Sequence, residues 1–172
     1  RATALDVDPF PLGLLRENAE DAGVIDRVEI HESDARSATH RADVIVVFNF
    51  SIGYFHTRGA LLAYLRAARA RVESGGVLLC DLYGGVDQFE RGESELELRD
   101  GTRYIWEQRD ADPLTARVVN AMHFVLASGE SIHDAFVYDW RLWAPAELAD
   151  AMLEAGFASV EFYDRLGDAE LD

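Results

Sequence analysis

The sequence has 172 residues, length enough for one domain with its own core, and 32 acidic against 16 basic side chains, a net charge of −16. That charge argues against nucleic acid or an anionic membrane as partner, since both reward basic patches. Hydrophobic residues at 49% exclude disorder, and the lone Cys80 excludes an internal disulfide, which fits a reducing cytoplasm. No apolar run reaches the ~18 residues of a membrane span, and the start of the chain does not have the shape of a signal peptide.

The first half alternates strand and helix. Residues 2–6 (ATALD) read as a strand end, and Pro9 or Pro11 suits the first turn of a helix. That helix continues through LGLLRENAEDAG, with Leu12, Leu15 and Ala19 on one face and Gly23 as its stop. RVEIHESDA (27–35) reads as a second strand. ADVIVVFNF (42–50) is an unbroken apolar run, the pattern of a central parallel strand covered on both faces. A helix is expected from Thr57 to Glu73, burying Leu61, Leu62, Leu65, Ala68 and Val72 and leaving Arg58, Arg66, Arg69 and Arg71 wet. Ser74-Gly75-Gly76 would end it, and GVLLCDLYGG (76–85) reads as the next buried strand. Such spacing implies right-handed βαβ units, hence an α/β fold with a Rossmann-like, mostly parallel sheet flanked by helices.

After Gly85 the period changes. Segments near 94–110, 115–126 and 131–141 alternate apolar and polar residues and are joined by the turns DADPL and ASGE, an antiparallel meander of about three strands. The helical period returns in APAELADAMLEAGF, with Gly156 as stop. ASVEFYDR reads as a last strand and LGDAELD as a frayed acidic tail. The expected division is a cofactor-binding core over 1–85, an inserted antiparallel β element over 86–143, and a C-terminal helix and strand over 144–172 that complete the core.

Some chemistry follows from residue types alone. A carboxylate at the carboxyl end of a strand, as at Asp6, can accept both hydroxyls of a ribose, while Asp8 suits the cap of the following helix. His56 is a candidate base, although a polar residue at a helix start explains it equally well. His123 alternates with Ala121 and Val125, so a satisfied sheet histidine is the stronger reading than a catalytic one. Trp140, Arg141 and Trp143 read as packing residues, and His133 as an exposed one near a turn. Metal-ligand spacings such as HxxxH or HxH, the GxSxG elbow and a P-loop are all absent from the sequence.

In order and spacing, ALDVDP, ESDARS, ADVIVVFNFSIGYF, ARVESGGVLLCD and WRLWAPAELADAMLEAGFASVEFY together resemble class I S-adenosylmethionine-dependent methyltransferases of the small-molecule type. The resemblance implies S-adenosylmethionine as cofactor, with Asp6 and Val7 at its ribose, Asp34 and Ala35 at its adenine, and Asn49, Phe50 and Ser51 in the loop between cofactor and acceptor. It implies a small-molecule acceptor methylated on nitrogen or oxygen, with Tyr54, Tyr83, Trp106, His123 and Arg141 as substrate-side candidates. Tyr54, His56 and His123 are the candidates for catalysis. The NPPY pattern of amino-directed DNA methyltransferases is missing. In that family a strand and glycine-rich loop precede the segment that opens this sequence, and one more strand follows, so the chain is expected to be part of a longer protein. The β insertion is expected to act as a lid over the acceptor or as a homodimer surface. Two other readings stand beside this one: a non-catalytic cofactor-binding protein, and an NAD-dependent oxidoreductase, which an acid ending the second strand would also suit.

Overall fold

In the computed structural model, which describes residues 1–163, the chain opens with β1 (Ala2–Asp6) and α1 (Pro9–Asp21). Asp8 caps α1 by accepting the Phe10 N–H at 2.9 Å, and the prolines of the first turn lack the N–H that would be unpaired there. Leu12 and Ala19 are the buried positions of α1. After a single 3-10 turn, β2 (Val28–Glu32) pairs in parallel with β1, Ala2 opposite Val28 and Asp6 opposite Glu32. β3 (Ala42–Val47), α2 (Arg58–Arg71) and β4 (Val72–Cys80) follow. Four strands then run on in chain order: β5 (Gly92–Glu97), β6 (Arg103–Asp112), β7 (Arg117–Val125) and β8 (Ser131–Arg141). α3 (Pro145–Ala155) closes the described structure and stops at Gly156, whose φ of 101° an L side chain rarely adopts.

The chain divides into two compact units, Arg1–Ile45 with Tyr64–Leu78, and Val46–Ala63 with Leu79–Asp172. In the first, Arg41 is bonded bidentately to Glu73, both contacts at 2.8 Å, and Gly76 lies against the backbone of Asp43. In the second, β5–β8 form one antiparallel sheet. Its core is Val118, Tyr138, Trp140 and Leu142, with Phe50, Tyr83, Trp106 and Met122 packed against them.

Several expectations are corrected. The β element has four strands, not three, because Asp100-Gly101 turns the chain inside the segment read as one strand. The Leu98 N–H bonds the Thr102 carbonyl across that turn at 2.8 Å, and Gly101 sits at φ 81°. The apolar run from Ala42 ends as a strand at Val47, since Asn49 and Phe50 are both left-handed, with φ of 59° and 54°. Nor is that run covered on both faces. Among the described residues β3 pairs with β4 alone, and Val44, Val46 and Phe48 are each about half exposed. The Ser74-Gly75-Gly76 turn lies within β4, which starts directly where α2 ends. Arg71, expected to be wet, is buried, its Nε donating to the Ala67 carbonyl at 3.3 Å. Of the expected last strand, residues 158–163 form none, since alternation alone makes no strand without a partner to pair with. Its final two residues and the acidic tail lie outside the described residues.

A Cβ at Gly76 would lie 2.4 Å from the Asp43 carbonyl oxygen, a contact only a backbone shift relieves. Gly76→Ala should therefore cost about 1–3 kcal/mol in urea unfolding. Gly84→Ala, whose Cβ meets nothing within 4 Å, should cost less than ~0.5 kcal/mol. Equal midpoints for the two variants would contradict the close approach.

Candidate functional site

In the first unit two carboxylates stand at the carboxyl ends of neighbouring parallel strands. Asp6 ends β1, and its Oδ1 accepts the Asp8 N–H at 2.9 Å, which orients the group. The Asp6 carbonyl accepts the Ser33 N–H at 2.8 Å, so the segment leaving β2 is tied to the end of β1. Asp34 follows directly. Its carboxylate accepts the Arg36 N–H at 2.8 Å and both Nε and Nη2 of the Arg36 guanidinium, which hold it below the usual aspartate range. Asp34 therefore shapes its own turn, the Ser37 N–H closing on the Asp34 carbonyl at 3.0 Å. Val7, Ala35 and Asp6 itself are exposed.

In the second unit the loop after β3 is held by a residue beyond β4. The Asp81 carboxylate accepts the Asn49 N–H at 3.0 Å and the Phe50 N–H at 2.8 Å. Ser51 Oγ donates to the Phe48 carbonyl at 2.8 Å and starts a 3-10 turn, Ser51–Tyr54. Gly53 in that turn is required by packing: a Cβ there would lie 2.8 Å from the Trp140 ring. The loop thus delivers Phe50 and Tyr54 to an aromatic cluster centred on Trp140. Ring centroids lie 4.5 Å from Trp140 for Tyr138, 5.2 Å for Tyr83, 5.6 Å for Phe50, 6.2 Å for Trp106 and 6.3 Å for Tyr54. These are separations at which aromatic pairs attract beyond their burial. Burial raises the phenols of Tyr54 and Tyr83 above their ordinary value, so at neutral pH both are hydrogen-bond donors rather than bases.

The structure brings Tyr54, Tyr83 and Trp106 together around Trp140, sets Arg141 in the lining of a small pocket with Phe50 and Tyr83, and leaves His56 and His123 elsewhere. Along β7, Trp106 is opposite Met122 while His123 is opposite Ile105, one residue on and therefore on the other face of the sheet. His123 is buried there at a bulge where Asp134 is left-handed (φ 52°). The Asp134 N–H donates to its Nδ1 at 2.9 Å, so the neutral ring carries its proton on Nε2 and donates it to Glu107 at 3.0 Å. His56 donates from Nε2 to the Asp139 carbonyl at 2.8 Å and lines an open cavity of about 500 Å³ with Asp112, Arg117 and Asp139. The cap of α2 is Thr57, whose Oγ1 accepts the Ala60 N–H at 3.2 Å, so His56 does not serve that end. Arg141 lies 3.8 Å over the Trp143 ring and bonds the Glu147 carboxylate at 2.8 Å.

Sequence spacing misses Glu107 and Arg109 of β6 and Asp134 of β8, which join His123 of β7. Glu107, His123 and Asp134 together have metal-ligating atoms within 4.8 Å of one another. Arg109 bonds both carboxylates, however, and supplies the positive charge a cation would bring. A second such group, Glu29, His31 and His40, lies in the first unit with two of its members exposed. Arg109 holds Glu107 below the ordinary glutamate value of 4.5 and Asp134 below the aspartate value of 3.8. Groups depressed on folding stabilise above their unfolded pKa and lose that contribution as pH falls through the folded one. Arg109→Met should therefore lower Tm most above pH 4.5, with the gap to wild type closing as pH falls below 3.8. A gap independent of pH in a calorimetric series would refute the network.

No family model matches the chain, and no curated protein matches it. Solved structures do. The CcbJ methyltransferase of Streptomyces caelestis superposes with a TM-score of 0.74 at 18% identity, covering 90% of this chain and 66% of its own. An S-adenosylmethionine-dependent methyltransferase of Clostridium acetobutylicum gives 0.73 at 15% identity over 89% of this chain and 62% of its own. CalS10, an amino pentose methyltransferase of Micromonospora echinaspora, gives 0.67 at 16% identity over 90% of this chain and 64% of its own. The chain thus spans just under two thirds of the length of these structures. Its fold is that of the class I S-adenosylmethionine-dependent methyltransferases.

Proposed function

We propose that the protein transfers a methyl group from S-adenosylmethionine to a nitrogen or oxygen atom of a small molecule. The observation that carries this reading is the pair of carboxylates, Asp6 and Asp34, tied together at the carboxyl ends of adjacent parallel strands within a methyltransferase fold. Open α/β sheets bind ligands at that edge. The donor set fits the nucleoside half of the cofactor. Asp6 is exposed and already oriented through Oδ1, as a group accepting a ribose diol needs to be. Asp34 and the Ala35 N–H offer an acceptor and a donor for an adenine edge, with Arg36 fixing the carboxylate. Bound there, the cofactor supplies a sulfonium methyl group open to in-line attack by the acceptor.

The protein's own part is to orient and to exclude water. In the second unit the aromatic cluster around Trp140 offers a dry wall, and the protonated phenols of Tyr54 and Tyr83 can orient an acceptor by donating to it. An acceptor that arrives as a neutral amine needs no base before attack, which suits a cluster without a deprotonated phenol. His123, on the opposite face of its sheet with both ring nitrogens bonded, is assigned to holding the β7–β8 bulge.

Calorimetric titration of the full-length protein with S-adenosylhomocysteine tests the reading, with NAD as control. We expect micromolar affinity for S-adenosylhomocysteine and none for NAD. Asp6→Ala should weaken the former by at least about tenfold, or ~1.4 kcal/mol. A folded wild-type protein that ignores S-adenosylhomocysteine would overturn the proposal.

A further inference from the structure

The loop after β3 does not hold its shape by its own local bonds alone. Asn49 and Phe50 are consecutive left-handed residues, and neither is glycine. Left-handed backbone costs an L residue roughly 1–2 kcal/mol, asparagine tolerating it better than phenylalanine. Such a pair persists only where its surroundings fix it. Here the Ser51 hydroxyl bonds the Phe48 carbonyl across the pair, and one distant side chain holds the two N–H groups. Asp81, 32 residues beyond Asn49, presents one carboxylate oxygen to each N–H, Oδ2 to Asn49 and Oδ1 to Phe50. Hydrogen bonds to an ionised acceptor are about twice as strong as neutral ones, and in this conformation both N–H groups converge on the one carboxylate.

The consequence reaches the ring beyond the backbone. With the Phe50 N–H held, its ring sits 5.4 Å from Tyr83 and 5.6 Å from Trp140, and the turn that follows seats Gly53 under the Trp140 indole. We infer that Asp81 is a positioning residue: its carboxylate sets the left-handed Asn49–Phe50 step, and through it shapes the loop that the methyltransferase reading assigns to the cofactor. This rests on the methyltransferase reading and assigns Asp81 a part in it through the backbone that its two oxygens hold.

The test pairs a structural with a binding readout on the full-length protein. In wild type the amides of Asn49 and Phe50 should exchange slowly by NMR, and in Asp81→Asn at least about a hundredfold faster, because one acceptor oxygen is replaced by a donor. The same variant should bind S-adenosylhomocysteine at least about tenfold more weakly while its Tm stays within a few degrees of wild type. Adding Asn49→Gly to Asp81→Asn should recover at least about threefold of that affinity, since glycine takes the left-handed conformation without the carboxylate's help. A merely structural aspartate would give back nothing. Asp81→Asn binding as well as wild type, or an affinity loss that tracks Tm and is not recovered by Asn49→Gly, overturns the inference and leaves the methyltransferase reading standing. A wild-type protein that does not bind S-adenosylhomocysteine overturns both.

Discussion

The buried indole of Trp140 is the point on which the second unit is assembled. It is 1% exposed and meets strand β8's own Tyr138, Trp106 from β6, Tyr83 from the segment after β4, and Phe50 from the loop after β3. These come from four stretches of chain far apart in sequence, so no local preference brings them together; shared burial of large aromatic faces does. Gly53 is the counterpart constraint, since only a residue without a side chain lets the turn lie against that indole. Loop shape and aromatic cluster are therefore one feature, and a change in either displaces the other.

The two faces of the β5–β8 sheet divide the labour. One carries Trp106, Met122, Tyr138 and Trp140, with Asn120 buried among them, and is mainly apolar. The other carries Glu107, His123 and the Arg117–Asp139 pair and is held by charge. Register enforces the division, because neighbouring residues of a strand point to opposite faces. An acid-rich chain can in this way keep an aromatic wall while its carboxylates bond arginines on the far side.

Much of this was legible in the sequence, and the failures have specific causes. Asp8 and Pro9 announce α1, and Gly156 announces the end of α3, because caps are local chemistry. The order of acid-ending strands, Gly-Gly turn and late helix sufficed for the fold. Asp100-Gly101 carried a hairpin signal that continuous alternation around it obscured. The left-handed step at Asn49 and Phe50 had no glycine to mark it, and its cause lies at Asp81, too distant for any spacing rule. The bulge at Asp134 was hidden for the same reason: His123, not a turn motif, stabilises it. Arg71 shows the limit of helical periodicity, which places a residue on a face without saying how deep that face lies.

Under the proposed function, S-adenosylmethionine would lie along the carboxyl ends of the strands. Hydrogen–deuterium exchange by mass spectrometry of the full-length protein, with and without S-adenosylhomocysteine, addresses it directly. Slower exchange is expected in the peptides spanning Asp6 to Phe10, Ser33 to Ser37 and Asn49 to Gly53, with the Glu107–Asp134 face unchanged. Protection confined to other segments, or none at saturating ligand, would contradict it.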